Sequence, residues 1–286
     1  MTSPPTSVTR RVAKNASPAG PQPRRRRIGG DATKITLLRL AVIVGFAALW
    51  EAVSRFEILN STEFPPFTVV AWNFVMTLGL GETWFAMWET VLGWALGLSL
   101  SIIVGVLLGL LIGPSRFLTG STSLLIDVLR STPAPAIIFI LILVLGTTMS
   151  MKVALVFFAA VFPILIQTLY GVRGIDPVLR DLQRSYRIRP WVGFFRIRLP
   201  AASPYIATGV RISSSLALIV AVVGEYLGGV PGVGSLVDRV RLIGDYPQMY
   251  ALILLVGLLS VGLNIGVGAI ERRALRWHPS HRRQAA

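Results

Sequence analysis

Six apolar stretches dominate the chain and constrain its fold more than any other feature. Each is close to the length of about 20 residues that a helix needs to cross a bilayer. They lie at about 37–53, 90–112, 122–146, 149–170, 205–227 and 249–270. Charged residues make up only 14% of the sequence, against about a quarter in soluble domains. We therefore predict an all-α, polytopic membrane protein with six transmembrane helices.

The distribution of Lys and Arg predicts the orientation of these helices. Loops on the N-terminal side hold 21 of the 28 basic residues, with eight in 1–36, one, Arg116, in 113–121, seven in 171–204 and five in 271–286. The opposite loops are assigned four, namely Arg55, Lys152, Arg239 and Arg241. Because cytoplasmic loops carry excess positive charge, both termini and the 171–204 loop are predicted to be cytoplasmic. Topology thus accounts for the net charge of +15, and we expect no nucleic-acid partner.

The two ends of the chain differ in composition from the apolar part. Residues 1–36 contain several prolines, a run of arginines at 24–27 and almost no large apolar side chain. Such a segment cannot bury enough surface to order itself. We predict a disordered basic tail over 1–36, a transmembrane domain over 37–277 and a basic C-terminal tail over 278–286.

The second apolar stretch has a small residue at every fourth position. These residues are Gly93, Gly97, Ser101, Gly105, Gly109 and Gly113. Small side chains let helix backbones approach closely in membranes, so we assign the glycines to helix packing. Four residues turn an ideal helix by about 400°, so the stripe drifts around the helix. Its two ends are therefore expected to face different neighbours.

Polar residues inside the apolar stretches are costly in a membrane and are functional candidates. Those of the fifth stretch are Arg211, Ser213, Ser214, Ser215 and Glu225. We predict that they contribute to a translocation path; snorkelling of Arg211 and an interfacial position for Glu225 are the alternatives. Asp127 and Arg130 lie three residues apart in the third stretch, where they can neutralise each other, and we interpret them as a structural pair.

A polar, Arg-rich loop separates the fourth and fifth stretches, and its sequence predicts two short helices. Asp176 and Pro177 suit the N-cap and first position of a helix. That helix is expected to end at Arg189, because a proline disfavours helical geometry in the residue before it. The second helix begins at Pro190.

Both helices of this loop carry apolar side chains among arginines. The apolar positions are Leu179, Leu182 and Tyr186 on the first helix and Trp191, Phe194 and Phe195 on the second. Apolar side chains with cationic rims suit insertion into a groove of a partner protein. The alternative is adsorption to anionic lipid headgroups, as basic amphipathic helices do.

The same loop resembles the signature of the permease subunits of bacterial ATP-binding-cassette (ABC) importers. That signature is Glu-Ala-Ala, three residues, Gly, nine residues and Ile-x-Leu-Pro. The spacing places Asp181 at the Glu and Arg187 at the Gly, while Ile197, Leu199 and Pro200 match outright. Arg187 departs from the family's usual turn residue, which suggests a divergent ATPase or a permease that pairs with a different one.

Further segments resemble the nitrate, taurine and aliphatic-sulfonate importer permeases. They include Arg-Ser-Thr-Pro-Ala-Pro-Ala at 130–136, Phe-Pro-Ile-Leu at 162–165, Gly-Glu-Tyr-Leu-Gly at 224–228 and Glu-Arg-Arg at 271–273. The resemblance covers about residues 37 to 277. It implies the fold of a type I ABC importer permease in the bacterial cytoplasmic membrane. It does not identify the solute, because members import several unrelated small molecules.

The resemblance also implies that the loop couples this chain to an ATPase. In the family, the coupling helices of this loop dock into a cleft on the ATPase subunit. The role is carried over to Asp181, Arg184, Ser185, Arg187, Trp191, Gly193, Phe194, Phe195, Ile197, Leu199 and Pro200. The implied function is import of a small solute, of the nitrate, sulfonate or taurine type, delivered by an extracytoplasmic binding protein.

The chain lacks the chemistry to hydrolyse ATP itself. A P-loop needs Gly-x4-Gly-Lys-Ser/Thr, and none of Lys14, Lys34 and Lys152 lies in one. We expect no catalytic residue, no cofactor and no metal site, with ATP and Mg²⁺ bound by a separate ATPase subunit. The expected partners are ATPase subunits, a second permease copy, identical rather than different, the binding protein and the lipid bilayer. The glycine-rich segment 228–234 is interpreted as a tight turn.

Two other classes are weighed against this function. A secondary transporter driven by an ion gradient is the main alternative, and it would usually show paired broken helices. Pro133 and Pro135 interrupt the third stretch, but no matching break occurs in the second half. A membrane-embedded enzyme is disfavoured, because the apolar stretches contain no His and the chain contains no Cys.

Overall fold

The structure is a computed structural model that describes residues 29–176, 178, 179, 181 and 185–275. Over these residues the regular structure is entirely helical, so the predicted all-α class is confirmed. The membrane-length helices are α1 (Gly29–Arg55), α3 (Gly81–Ile112), α6 (Met149–Arg173), α8 (Leu199–Gly228) and α10 (Tyr246–Ala274). The shorter ones are α2 (Phe67–Leu78), α4 (Arg116–Ser131), α5 (Ala134–Leu145), α7 (Pro190–Gly193) and α9 (Val233–Leu242).

The N-terminal boundary differs from the prediction. Helix α1 begins at Gly29, so the predicted disordered tail is wrong for residues 29–36. No proline occurs between Pro23 and Pro65, and nothing in this segment stops a helix from extending toward the N-terminus. Residues 1–28 and the predicted C-terminal tail lie outside the described residues. The chain separates into two compact units, 1–49 and 50–286, and the account below concerns the second.

Helices α3 and α6 lie side by side and run in the same direction. The glycines of α3 meet α6 at one constant sequence offset: Gly93 meets Lys152, Gly97 meets Val156, Gly105 meets Ile164, Gly109 meets Thr168 and Gly113 meets Val172. All five therefore face one helix, and the expectation that the ends of the stripe face different neighbours is wrong. A contact repeat longer than 3.6 residues can stay on one line when two helices wind around each other.

The parallel direction of α3 and α6 shows what the segment between them does. The contact spans Gly93 to Gly113, a rise of about 30 Å at 1.5 Å per residue, which is the thickness of a bilayer core. Between Gly113 and Lys152 the chain must travel back over this whole height. Helices α4 and α5 make that return, so together they form the sixth crossing.

The crossing predicted over 122–146 is not one continuous helix. Helices α4 and α5 are bent by 87° at a break after Ser131. Thr132 has an extended backbone, with φ −74° and ψ 121°, because a residue before proline is pushed out of the helical region. Pro133 then starts α5. The prediction of a single span is corrected to a broken one.

Helix α8 completes the core and runs antiparallel to α6. Gly171 meets Ala202 at one end, Gly209 meets Ile164 near the middle and Gly228 meets Met151 at the other end. The residues buried among α3, α6 and α8 are Leu98, Val156, Ala160, Ile164, Ala217 and Ala221. We name the end of this bundle that bears residues 176–198 the loop end, and the opposite end, which bears Lys152 and Glu225, the far end.

Candidate functional site

At the loop end, the first predicted helix begins as expected and ends early. The N–H of Val178 donates to Asp176 Oδ1 at 2.8 Å, which fits an aspartate N-cap. Residues 178, 179, 181 and 185 are helical, and 186–187 form a turn. The helix therefore ends near Ser185 rather than at Arg189. Pro177, Leu182 and Arg184 lie outside the described residues.

The turn after this helix depends on the backbone of Arg187. Its φ is +48°, in the left-handed region, where helices commonly place a C-terminal glycine. The family signature has Gly at this position, and Arg187 keeps the conformation although it carries a side chain. A non-glycine residue in that region costs about 1–2 kcal/mol.

We expect Arg187→Gly to stabilise this turn by up to about 1 kcal/mol, because relief of the left-handed strain exceeds the entropy that glycine loses on folding. Hydrogen exchange of the backbone amides at 186–189 should slow. Ser185→Gly, two positions earlier and helical, is the matched control and should accelerate exchange. Equal acceleration by both substitutions would contradict the assigned geometry.

The second helix of the loop is continuous with the transmembrane helix that follows. Helix α7 begins at Pro190 and passes through a π-helical turn, Phe194–Arg198, into α8. Of the three signature residues Ile197, Leu199 and Pro200, the first lies in this turn, and the other two open α8. Turns of this type are frequent at functional sites.

Aromatic side chains of α7 and the π-helical turn form one group. The ring centroids of Trp191 and Phe195 lie 4.7 Å apart, and those of Phe194 and Phe195 lie 5.0 Å apart. Phe194 packs on a buried cluster that includes Leu110 and Val172, whereas Trp191 and Phe195 are 74% and 45% exposed. Phe194 therefore anchors the group to the bundle, and the other two rings stand outward.

The five polar residues predicted for the translocation path do not share one surface. Ser213 Oγ donates to the carbonyl oxygen of Ala160 on α6 at 2.7 Å, and Ser214 is buried beside Trp94 of α3. Ser215 exchanges hydrogen bonds with Asn264 on α10. Ser213 and Ser214 are buried between helices in the single chain, and the role of the three serines in a translocation path stays a prediction.

Arg211 lies at the loop-end half of α8. It forms an ion pair with Glu271 on α10, and about half of its side chain is exposed. Together with Ser215 and Asn264, this pair makes a polar seam between α8 and α10. Its role in a translocation path stays a prediction.

At the far end, Glu225 takes part in a buried polar cluster that the sequence did not reveal. Its partner is Lys152, whose Nζ lies 2.8 Å from Glu225 Oε1, and both side chains are fully buried. Lys152 Nζ also donates to the carbonyl oxygens of Pro231 at 2.6 Å and Glu89 at 3.1 Å. All three ammonium hydrogens thus have acceptors. The assignment of Lys152 to a loop is wrong, because it lies in α6, and a role for Glu225 in the translocation path stays a prediction.

The second carboxylate oxygen of Glu225 binds the glycine-rich turn. Oε2 accepts hydrogen bonds from Thr90 Oγ1 at 2.9 Å and from the N–H of Gly234 at 3.0 Å. A Cβ added at Gly232 would overlap the carboxyl group of Glu225, so only glycine permits this approach. The turn wraps an internal carboxylate, and the cluster ties α3, α6, α8 and the start of α9 together.

A cavity of about 790 Å³ lies at the break between α4 and α5. Its other walls come from α6 and α8. The polar side chains that line it are those of Arg130, Ser131, Thr132 and Gln167. The Pro-rich segment at the break is the signal of this cavity in the sequence. For Arg130 the sequence indicated only a pair with Asp127, to which its Nε donates at 2.9 Å.

These helices, the broken crossing and the cavity beside it define a polytopic membrane protein of the transport class. The chain belongs to the family described as binding-protein-dependent transport system inner membrane component, which matches residues 101–276. This family comprises the permease subunits of ABC importers, as the sequence resemblance implied.

Relatives and solved structures agree with this assignment. A protein of Escherichia coli K12 named as an aliphatic sulfonates transport permease, SsuC, is 33% identical, and the alignment covers 86% of this chain and 94% of SsuC. The nitrate import permease NrtB of Leptolyngbya laminosa is 30% identical, over 52% of this chain and 53% of the NrtB chain. A chain of the inward-facing MetNI methionine ABC transporter shares the fold, with TM-score 0.60, 18% identity, and coverage of 66% of this chain and 96% of that one.

Proposed function

We propose that this chain forms the solute passage of an importer for a small anion of the sulfonate or nitrate type. Separate subunits that bind ATP and Mg²⁺ would supply the energy, and an extracytoplasmic protein would deliver the solute in a bacterial cytoplasmic membrane. Family membership and the names of the relatives SsuC and NrtB support this proposal.

The observation that carries the proposal is an apolar surface at the loop end. We name it the coupling surface, and its exposed side chains are Val178, Leu179, Tyr186, Trp191 and Phe195. Arg187, Arg189 and Arg196 are exposed among them. Exposed apolar groups with a charged rim mark sites of protein association, and aromatic residues contribute much of the binding energy at such sites. The partner we assign to this surface is the ATPase subunit.

A second copy of the chain would enclose the passage with the first. Helix α8 leaves one row of side chains exposed, comprising Tyr205, Thr208, Ile212 and Ile219. Their spacing of three to seven residues places them on one face. The adjacent Arg211, about half exposed, is costly against lipid, which favours a partner or water there. We assign that face to the passage between two identical copies.

The coupling surface is tested by truncating its two outward rings. Trp191→Ala with Phe195→Ala should remove at least about 2 kcal/mol of binding energy per ring and abolish co-purification of the ATPase subunit encoded with this chain. ATP-dependent uptake into proteoliposomes should be lost as well. Phe194 is left unchanged, because removing its packing on the bundle would disturb folding as well as docking.

A matched control removes the same two types of side chain at the far end. Trp72→Ala with Phe85→Ala removes one exposed Trp and one exposed Phe and should leave ATPase binding unchanged. Undiminished ATPase binding by the loop-end variant would refute the docking assignment. If that variant instead lost only its affinity for anionic vesicles, the lipid-headgroup alternative would replace it.

A further inference from the structure

The break between α4 and α5 places polar groups near the middle of the membrane-spanning bundle. The cavity at the break is bounded by residues 158–167 of α6 and 212–220 of α8. Both segments are central in helices that cross the whole bundle, Met149–Arg173 and Leu199–Gly228. The polar residues of the break therefore lie at a depth where lipid would surround an exposed side chain.

Arg130 is half-exposed at this depth, with 52% of its side chain accessible. A guanidinium at mid-depth is costly against lipid and faces a water-filled space or a partner instead. Among the described residues that line the cavity, Arg130 alone carries a charge, and Asp127 is not one of them. The charged group that faces the cavity is therefore the guanidinium of Arg130, whose Nε edge is paired with Asp127.

The donors available to a ligand come from the guanidinium rather than from the neighbouring hydroxyls. Ser131 Oγ donates to the carbonyl oxygen of Asp127 at 2.7 Å, and Thr132 Oγ1 donates to that of Val128 at 3.1 Å. Arg130 uses Nε for Asp127. Its two terminal nitrogens retain N–H groups in the fork geometry that suits oxyanions. The first turn of α5, which also lines the cavity, has no acidic residue, and its helix dipole adds to the positive field.

The remaining walls are apolar. Phe158, Phe162, Ile212, Leu216 and Ile219 line the cavity opposite the break. A volume of about 790 Å³ falls within the range of about 300–1,000 Å³ that is typical of small-molecule sites. One cationic group beside an apolar wall suits a small oxyanion with a short aliphatic tail.

We propose that this cavity is a binding site for a small organic sulfonate on its way through the chain, and that Arg130 selects the anionic group. This inference rests on the proposed function and assigns the site of selection within it. Asp127 holds the Nε edge of Arg130 and thereby directs its terminal nitrogens. The inference places anion recognition at the break in the third apolar stretch, whereas the translocation path predicted from the sequence lies in the fifth.

A cysteine at the break can test the site without ATPase or binding protein, since the chain has no native Cys. The full chain with Ser131→Cys is placed in lipid nanodiscs and treated with two methanethiosulfonate reagents of similar size, one bearing a sulfonate and the other a trimethylammonium group. We expect the sulfonate reagent to react about tenfold faster or more, as a charged cleft concentrates counter-ions. Ethanesulfonate should slow the reaction.

Arg130→Gln in the same background should abolish this preference, whereas Arg116→Gln on the same helix should preserve it. Ser123→Cys, exposed on α4 but outside the cavity, should show neither charge preference nor protection by ethanesulfonate. Thr132→Cys repeats the test at the adjacent cavity residue if Ser131→Cys does not fold. Equal rates for both reagents, no reaction, or an unchanged preference after Arg130→Gln would overturn the proposal.

Uptake by the unmodified chain separates this inference from the proposed function. Proteoliposomes that contain the chain and its ATPase report ATP-dependent transport, and the labelling rates report the site alone. Normal uptake with no charge preference in labelling would refute the site and leave the importer function in place. The expected labelling pattern without ATP-dependent uptake would support the site and refute the importer function.

Discussion

Replacing Lys152 by methionine should destabilise the folded chain by about 3–5 kcal/mol, the usual cost of breaking a buried ion pair. The substitution leaves the carboxylate of Glu225 fully buried without its ammonium partner. Hydrogen bonds from Thr90 and Gly234 remain, but they do not supply a compensating charge. Glu225→Gln should have a similar effect, because the ammonium of Lys152 then stays buried without a counter-charge.

The measurement is the midpoint of chemical unfolding of the purified chain in detergent. Lys152→Met combined with Glu225→Gln should destabilise by less than the sum of the two single variants, since no unpaired charge remains. Arg239→Met is the matched control: its ion pair with Glu82 is exposed on both sides, and such pairs contribute about 1 kcal/mol or less. If Lys152→Met were no more harmful than Arg239→Met, the buried cluster would not stabilise the fold.

The cluster has a mechanical consequence for the far end. It joins three transmembrane helices to the turn that begins α9, and α9 itself packs by Val233, Leu236 and Val237 against Ala86 and Leu252. The charged pair and this apolar contact together hold α9 on the bundle. The far end should move as one body, whereas the loop end carries the exposed coupling surface.

The six crossings could be predicted from the sequence because hydrophobic length depends only on neighbouring residues. Five of them form membrane-length helices, and the family signature located the loop that precedes α8. The broken crossing was partly visible, since Pro133 and Pro135 interrupt the stretch. Its bend of 87° and the cavity beside it depend on how α4 and α5 pack on α6 and α8, which periodicity does not report.

The buried ion pair could not be predicted in the same way. Lys152 and Glu225 are 73 residues apart, and a lysine in the first turn of a helix resembles a residue at the membrane surface. The available signal was the glycine-rich turn that follows Glu225, whose glycines permit close approach to a carboxylate. That all the glycines of the stripe face one helix also could not be predicted. The expected drift holds for a straight helix, whereas α6 stays in contact with the stripe along its whole length.

Valine at Gly97 or Gly109 should separate α3 from α6 and prevent a stable fold. A Cβ at Gly97 would lie 2.5 Å from Val156 Cγ1 and 3.2 Å from the carbonyl oxygen of Val153, and one at Gly109 would lie 2.5 Å from Thr168 Cβ. Overpacking of this kind costs about 1–3 kcal/mol at a flexible site. Here backbone and β-branched side chains stand in the way, so the loss at each position should reach or exceed the upper end of that range.

Helix α10 provides the matched control because three of its glycines, Gly257, Gly262 and Gly266, have open surroundings. No atom lies within 4 Å of a Cβ placed at Gly257 or Gly262, so valine there carries the same change in helix propensity without the clash. The four single variants are compared by unfolding midpoint and by the fraction that elutes as one species in detergent. We expect losses confined to the α3 variants; equal losses on both helices would show that valine acts through helix propensity and that the close α3–α6 contact does not determine stability.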